Sequence, residues 1–301
     1  MWVAETLGAS EERSLSRADD GFQLARFAGS GLELFVVTAS GSSTSGVETF
    51  VDTVASVYRH LFGALEHEGL HPWRFWNYIP DIHRAAPGFG RRYEAFNAGR
   101  YAAFQEIYGE RRPWPLVAAS AVGHRRADLM VCVLAADAPG KPIENPRQFP
   151  AYHYSRQHGP FPPCFARAVR LPRPLPNLGA SSSAIVSGTS SIIGETSHHL
   201  DDVEAQTSET LANLAALASR LAGGGASVER RDASQLAEAR GLDLYRHVRA
   251  YVVHPEDAQD VLERLSDALP GVQSMDVVRA DLCRPELLVE VEGLLALDPT
   301  R

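Results

Sequence analysis

Two glutamates near the end of the chain, Glu290 and Glu292, have the types and spacing for acid chemistry. They lie in an apolar stretch, 287–295, that predicts a strand, and alternation places both carboxyl groups on one face. If that face is an exposed edge, the carboxylates are simply solvated. If it is covered, burial and the neighbouring like charge raise the pKa of Glu290, and a neutral carboxyl group can act as a general acid. The two glutamates alone leave both interpretations open.

A second candidate site is the polar segment 151–160, which is dense in hydrogen-bond donors. Tyr154 and Arg156 have the same parity, so an extended chain presents them on one face, and Arg167 begins the next predicted strand. The planar guanidinium of arginine binds carboxylates through paired hydrogen bonds, and tyrosine hydroxyls add further donors. Such a face suits a small dianionic acid. The alternative is a solvated loop in which Arg156 forms a surface ion pair.

The connection 188–202 is rich in Gly, Ser and Thr. Its small hydroxyl residues, including Thr189 and Ser190, allow a ligand to approach the backbone closely. The spacing matches neither common phosphate-binding loop. His198 and His199 are adjacent in sequence, which places them poorly for gripping one metal ion. We therefore expect no metal site here.

The composition is that of an ordinary globular protein, long enough for two domains of typical size. The chain has 301 residues, of which 45% are hydrophobic and 22% charged, and a formal net charge of −8. This charge argues against nucleic acid and anionic membranes, which require a basic face. There is no apolar run of transmembrane length, and the first residues lack the pattern of a signal peptide. We expect a cytoplasmic protein.

The three cysteines, Cys132, Cys164 and Cys283, are far apart in the sequence. Their spacing suggests neither a disulfide framework nor a zinc site, which agrees with a reducing compartment. Cys283 stands seven residues before Glu290. A nucleophilic thiol at this position is conceivable, although a packed thiol is the commoner role for a cysteine.

The first half of the chain alternates strands and helices. The predicted elements are strands at 21–28 and 32–38, a helix at 47–68, a strand at 73–80, a helix at 91–108, and strands at 116–123 and 128–135. Gly69 is expected to end the first helix as a C-cap. The last two strands are close in sequence, so we expect them to pair as a hairpin. The Gly- and Pro-containing stretch 137–146 is the best linker candidate.

The second half repeats this order. It predicts strands at 165–171 and 182–193, helices at 202–221 and from Pro255, a strand at 245–254, and the final strand. Segment 73–80 aligns with 248–255, and 128–134 aligns with 286–292. This alignment sets Glu290 opposite Val131 and Glu292 opposite Val133, so only the second copy carries acids on its last strand. We predict a duplicated α+β protein, with a supporting unit at 1–142 and a unit at 143–301 carrying most of the active site.

Several segments together resemble the chorismatase family, whose fold is related to RidA/YjgF proteins. The matching segments are 74–80, 96–100, 152–160, 165–167, 187–194, 254–257, 280–284 and 287–292. They occur in order over nearly the whole chain. The resemblance implies two RidA/YjgF-like units, each a mixed sheet packed against two helices. It further implies that the chain removes the enolpyruvyl group of chorismate as pyruvate, without a metal or organic cofactor.

The resemblance also implies roles for individual residues. Glu290 matches the family's acid, which protonates the methylene carbon of the enol ether. Cys283 matches the branch of the family that forms 3-hydroxybenzoate, and is expected to modulate the acid. The expected substrate-binding residues are Tyr154, Arg156, Arg167, Thr189 and Ser190.

Four residues depart from the family's usual pattern: Ser190, Glu195, Asp201 and Val253. They keep other outcomes open. One is a chorismate hydrolase that forms trans-3,4-dihydroxycyclohexa-1,5-diene carboxylate, and others are a variant forming another hydroxybenzoate or aminobenzoate and a non-catalytic binding protein. An imine-hydrolysing enzyme of the RidA type fits less well, because those chains have a single unit. The oligomeric state remains open.

Overall fold

The first half of the chain folds into one mixed sheet with two helices on one face. The computed structural model describes residues 11–17, 21–110, 113–176, 178–223 and 241–297. The elements of the first half are β1 (Glu11–Arg17), β2 (Phe22–Gly29), β3 (Leu32–Ala39), α1 (Val47–Glu68), β4 (His71–Pro80), β5 (Ala85–Ala86), β6 (Gly90–Arg91), α2 (Arg92–Tyr108), β7 (Ala118–His124) and β8 (Leu129–Ala136). The sheet order is β1-β2-β3-β8-β4-β7.

Helix α1 follows the sequence prediction closely. Its apolar stripe, which includes Val54, Tyr58 and Leu61, is buried against the sheet. Gly69 ends the helix with a φ of 66°, in the left-handed region that favours glycine, and its N–H bonds to carbonyl groups of the last turn. The predicted bounds and the predicted cap are confirmed.

The expected hairpin between the two last strands of this unit is wrong. Strand β4 lies between β7 and β8, parallel to β7 and antiparallel to β8. The reason is the helix between β4 and β7, because a strand–helix–strand crossover places its two strands side by side and parallel. The short 125–128 connection therefore crosses over the end of β4.

The second half repeats the same arrangement. Its elements are β9 (Lys141–Ile143), β10 (Ala168–Arg170), β11 (Ser182–Ser190), β12 (Ile192–Ile193), β13 (Thr196–Ser197), α3 (Val203–Leu221), β14 (Tyr245–Val252), α4 (Ala258–Ala268), β15 (Ser274–Arg279) and β16 (Val289–Leu297). The sheet order is β15-β14-β16-β11-β10-β9, and β14 runs parallel to β15. Strands β10, β11, β14, β15 and β16 thus take the places of β2, β3, β4, β7 and β8. The duplicated α+β architecture is confirmed.

Two details of the second unit differ from expectation. Strand β15 was not predicted; it is an edge strand whose side chains are half-buried or exposed, so it lacks a clear apolar alternation. The linker candidate 137–146 contains β9, which pairs with β10 of the second sheet. The boundary between residues 142 and 143 stays a prediction.

The register of the two sheets corrects the sequence alignment by one residue. Trp76 pairs with Cys132 in the first sheet, and Tyr251, which occupies the equivalent position, pairs with Glu290 in the second. The counterpart of Glu290 is therefore Cys132 and not Val131. A shift of one residue moves a side chain to the opposite face of a sheet, so Val131 points towards the helices instead.

The final strand is covered on both faces. All nine residues of β16 are buried. Val289 and Val291 pack with Leu214 and Leu217 of α3, whereas the two glutamates face the first unit. The interpretation as a solvated edge is therefore excluded. Among the described residues, no helix combines the length and the apolar character that crossing a membrane requires.

Candidate active site

Glu290 lies in a cavity between the two units. The cavity is lined from the first unit by residues such as Arg91 and Ser120, and from the second by Ser190 and Cys283. The side chain is 5% exposed, and its only hydrogen bond among the described residues comes from the Ser190 hydroxyl, at 3.4 Å from Oε2. Burial, and then the charge of Glu292, raise the pKa of Glu290 to about 8. A carboxyl group with this pKa is mostly protonated at neutral pH.

Gly188 leaves the space that the Glu290 side chain occupies. A Cβ atom at position 188 would lie 1.9 Å from Glu290 Oε1. The pairing of β11 with β16 is irregular between Val186 and Thr189, and this bulge carries Gly188 past the glutamate. The backbone N–H of Gly188 donates to the Ser120 hydroxyl at 3.0 Å, which ties the bulge to the first unit. The absence of a side chain at position 188 therefore makes room for the Glu290 carboxyl group.

Glu292, two residues further along the same face, is surrounded by donors. Its carboxylate accepts hydrogen bonds from Arg74 at 2.5 Å, Ser120 at 2.6 Å, Trp76 at 2.9 Å and Tyr251 at 3.2 Å. Three of these four residues belong to the first unit. Glu292 and Arg74 form an ion pair in which both side chains are fully buried. The first unit thus supplies the counter-charge for a carboxylate of the second.

Besides Arg91, which is paired with Glu94, three arginines line the cavity and make its wall positive. Arg100 is 2% exposed, and its Nε and Nη2 atoms have no hydrogen-bond partner in the described part of the chain. Arg167 donates from Nη2 to the Tyr154 hydroxyl at 2.6 Å, and its Nε is also unpaired among those residues. Arg284 is held by the Glu195 carbonyl and the Ser197 hydroxyl, at 2.9 and 3.0 Å. Buried donors without partners are costly, so these groups are suited to an anionic ligand.

The segment 151–160 forms two single 3₁₀ turns, at Ala151–His153 and Arg156–His158, and is not an extended chain. The expectation that Tyr154 and Arg156 share a face through strand-like alternation is therefore wrong. Tyr154 lines the cavity, while Arg156 is exposed and lies outside it. The physical reason is the Gly- and Pro-rich surroundings, which favour tight turns over a strand.

The remaining predicted site residues divide into two groups. Ser190 and Cys283 line the cavity, whereas Thr189 does not; its hydroxyl donates to the Ser187 carbonyl at 3.0 Å. Burial raises the pKa of the Cys283 thiol to about 12, so the group is a neutral thiol and a poor nucleophile at physiological pH.

Within the described ranges, no group of three or more metal-ligating side chains comes together. His199 instead lies 3.3 Å from Glu209.

Comparison with known proteins places this geometry in a family. Residues 15–135 match the family model described as chorismatase FkbO/Hyg5-like, N-terminal. A 3-hydroxybenzoate synthase from Streptomyces hygroscopicus is 33% identical over 248 residues, which make up 82% of this chain and 70% of that protein. The chain belongs to the chorismatase family.

Two further matches agree with this assignment. A chorismatase from Streptomyces hygroscopicus is 30% identical over 266 residues, covering 87% of this chain and 72% of that protein. The crystal structure of a chorismatase matches with a TM-score of 0.74 and 26% identity, covering 95% of this chain and 80% of that chain. The resemblance stated from the sequence segments is confirmed.

Three of the four departures named from the sequence have defined places in the structure. Asp201 has a φ of 63°, a left-handed conformation that glycine adopts without cost and aspartate tolerates. Glu195 accepts hydrogen bonds from the Ser155 backbone at 2.7 Å and from Gln157 at 3.1 Å, and so anchors the turn beside Tyr154. Val253 packs in the small cluster that contains Leu282 and Leu287.

Sequence reasoning missed the contributions of the first unit. Arg74, Arg100 and Ser120 approach the two glutamates only in the folded chain, and the pair Arg74–Glu292 is separated by 218 residues. Arg74 and Arg100 did fall within segments that resemble the family. That resemblance was the only sequence signal pointing to them, because an isolated arginine on a strand or helix carries no indication of its partner.

Proposed function

We propose that this chain is a chorismatase that removes the enolpyruvyl group of chorismate as pyruvate, with 3-hydroxybenzoate as the main product. The observation that carries the proposal is the Glu290 carboxyl group, which is buried, almost free of hydrogen bonds and mostly protonated at neutral pH. The names of the similar proteins, 3-hydroxybenzoate synthase and chorismatase, support the same substrate and product.

The chemistry begins with a proton transfer to carbon. The terminal methylene of the enol ether takes the Glu290 proton, its π electrons form the new C–H bond, and positive charge develops at the ether carbon. Carbon is a poor proton acceptor, so the donor must be neutral, oriented and sheltered from water. The Glu290 carboxylate left behind is in place to stabilise the cation.

The cavity arginines provide sites for the two carboxylates of chorismate. Arg100 and Arg167 offer buried N–H groups that are unpaired among the described residues, and Arg284 contributes a third guanidinium. Charge-assisted hydrogen bonds of this kind both hold and orient a carboxylate. The first unit then supplies Arg100 and the counter-charge Arg74, while the second supplies Glu290, Arg167 and Arg284.

Two fates of the cation give two products. If the ring hydroxyl next to the ether displaces the side chain within the molecule, loss of pyruvate and aromatisation give 3-hydroxybenzoate, and no water is consumed. If water adds to the cation, pyruvate leaves with a dihydroxycyclohexadiene carboxylate. The second candidate, a chorismate hydrolase, is favoured by the Ser190 hydroxyl, because this polar group beside Glu290 can hold a water molecule.

Incubation with chorismate tests the proposal. Pyruvate is measured with a coupled dehydrogenase, and the ring product is separated and identified by mass and ultraviolet absorption. We expect pyruvate and 3-hydroxybenzoate in equal amounts. If the dihydroxy acid is the main product, the chain is a chorismate hydrolase and not a 3-hydroxybenzoate synthase. Binding of chorismate without release of pyruvate would contradict both.

A further inference from the structure

A surface groove adjoins the active-site cavity on the side of the turn 155–159. It is lined by Gly88, Arg91, Glu94, Arg156 and Gly159, among others. Arg91 and Glu94 line both the groove and the cavity. An aromatic cavity at Tyr101 and Trp114, by contrast, shares no lining residue with the active site. The groove therefore adjoins the active-site cavity at one shared pair of side chains.

An ion pair separates the groove from the cavity. Arg91 and Glu94, at the start of α2, are 2.8 Å apart, and their side chains are 34% and 8% exposed. Gly159, with a φ of 113°, passes close to Glu94, and a Cβ there would lie 2.9 Å from Glu94 Cγ. Glu94 also accepts the Arg91 backbone N–H at 3.0 Å, so the pair is fixed at the N-terminal end of α2 and holds the Arg91 guanidinium between the groove and the cavity.

Arg156 is the uncompensated charge of this groove. It is exposed, and its side chain makes no hydrogen bond or ion pair with the described residues. The chain as a whole has a formal net charge of −8, which repels an anionic substrate. A free guanidinium at the mouth of the groove opposes that repulsion locally. Arg156 can therefore act on an anionic substrate although it lies outside the cavity.

We propose that this groove is the entrance to the active site, and that Arg156 is a positioning residue that attracts the carboxylates of the substrate towards the Arg91–Glu94 pair. The inference rests on the proposed function, which supplies the dianionic substrate. Arg156 acts on the encounter with the substrate and does not touch the reacting atoms. Its removal therefore affects the rate of capture and leaves the chemical step intact.

Kinetics at several ionic strengths test the entrance. For Arg156→Ala we expect kcat/KM for chorismate to fall about threefold to tenfold at low salt, with kcat unchanged and a weaker dependence on salt. Arg156→Lys retains most of the rate, because attraction requires only charge, and Arg156→Glu lowers it further. The matched control is Arg59→Ala, which removes an exposed charge on α1, far from the groove along the chain.

Two results would overturn the inference. One is equal kcat/KM values and equal salt dependence for the Arg156 and Arg59 variants in an active enzyme. The other is a loss of kcat in Arg156→Ala, which would place the residue inside the reaction. A wild-type enzyme that releases no pyruvate from chorismate contradicts the proposed function and the entrance together, so the two failures are distinguishable.

Discussion

The surroundings of Glu290 and Glu292 differ although the two side chains share a strand and a face. Glu292 has four donors within 3.2 Å, one of them the buried guanidinium of Arg74. Glu290 has a single donor at 3.4 Å, and no described residue bonds to its Oε1 atom. A carboxyl group with full ionic pairing is stabilised as the anion, whereas one without it is stabilised as the neutral acid.

Because of this difference, the two carboxyl groups have different roles. The Glu292 carboxylate is fixed by the first unit, and its charge helps to keep the proton on Glu290. Glu290 faces the cavity and is left free to give that proton away. The pattern follows a general rule, in which neighbouring titratable groups with different environments take different roles. Changing either residue to glutamine tests the comparison directly.

The largest expected effect is that of Glu290→Gln on turnover. The variant keeps the shape of the side chain but has no acidic proton, so kcat for pyruvate release is expected to fall about 10²- to 10⁴-fold. Binding of chorismate, followed by calorimetry, is expected to remain. Retention of wild-type kcat in this variant would refute the assignment of the acid.

The same variant has an expected effect on stability. The folded-state pKa of Glu290 is raised from an ordinary value of 4.5 to about 8, so the wild-type protein loses stability as pH rises from below the first value to above the second. Glutamine has no such loss. The Tm of Glu290→Gln is therefore expected to exceed that of the wild type at pH 9 by more than at pH 5. An equal difference at both pH values would contradict burial of an ionisable group.

The next effect is that of Glu292→Gln on stability. The substitution leaves Arg74 buried without its counter-charge, and breaking such a pair costs about 3–5 kcal/mol in the free energy of unfolding. Denaturant unfolding measures this loss. Because the Glu292 charge raises the pKa of Glu290, the alkaline limit of activity is also expected to move to lower pH. A stable variant with an unchanged pH profile would show that the two carboxyl groups are independent.

Ser190→Ala gives the smallest expected effect. The hydroxyl is 3.4 Å from Glu290 and lowers its pKa slightly, so its removal is expected to shift the alkaline limit upwards and to change kcat by less than about tenfold. Product analysis of the same variant tests whether the hydroxyl holds water. An unchanged share of the dihydroxy acid would show that the hydroxyl has no part in the choice of product.

The sequence predicts the elements with strong local signals. Helix α1 has a clear apolar stripe and a glycine cap, and its bounds were predicted correctly. The duplication was also visible, because equivalent strands have similar composition. The strand order could not be predicted, because a crossover connection decides which strands are neighbours. The apolar pattern of β7 and β8 is the same whether they pair with each other or with β4.

The features of the candidate site that depend on neighbouring residues in the sequence were predictable. The features that depend on contacts between distant segments were not. The alternation of β16 placed both glutamates on one face, but it could not say which one is paired. That depends on Arg74, Trp76 and Ser120, which reach the strand from the other unit. The prediction that Tyr154 and Arg156 share one face was wrong for a related reason. Tight turns in segment 151–160, and not strand alternation, set the directions of these two side chains.

The pH dependence of kcat/KM tests the central claim most directly, because it reports the pKa values of the enzyme without substrate. If Glu290 donates its proton from the neutral form, kcat/KM for pyruvate release is expected to be constant at acidic and neutral pH. It then falls about tenfold per pH unit above a pKa of about 8. Glu290→Gln, as the control, is expected to lose this limb from its residual rate. A kcat/KM that rises through the same range, as for a group acting as a base, would contradict the account.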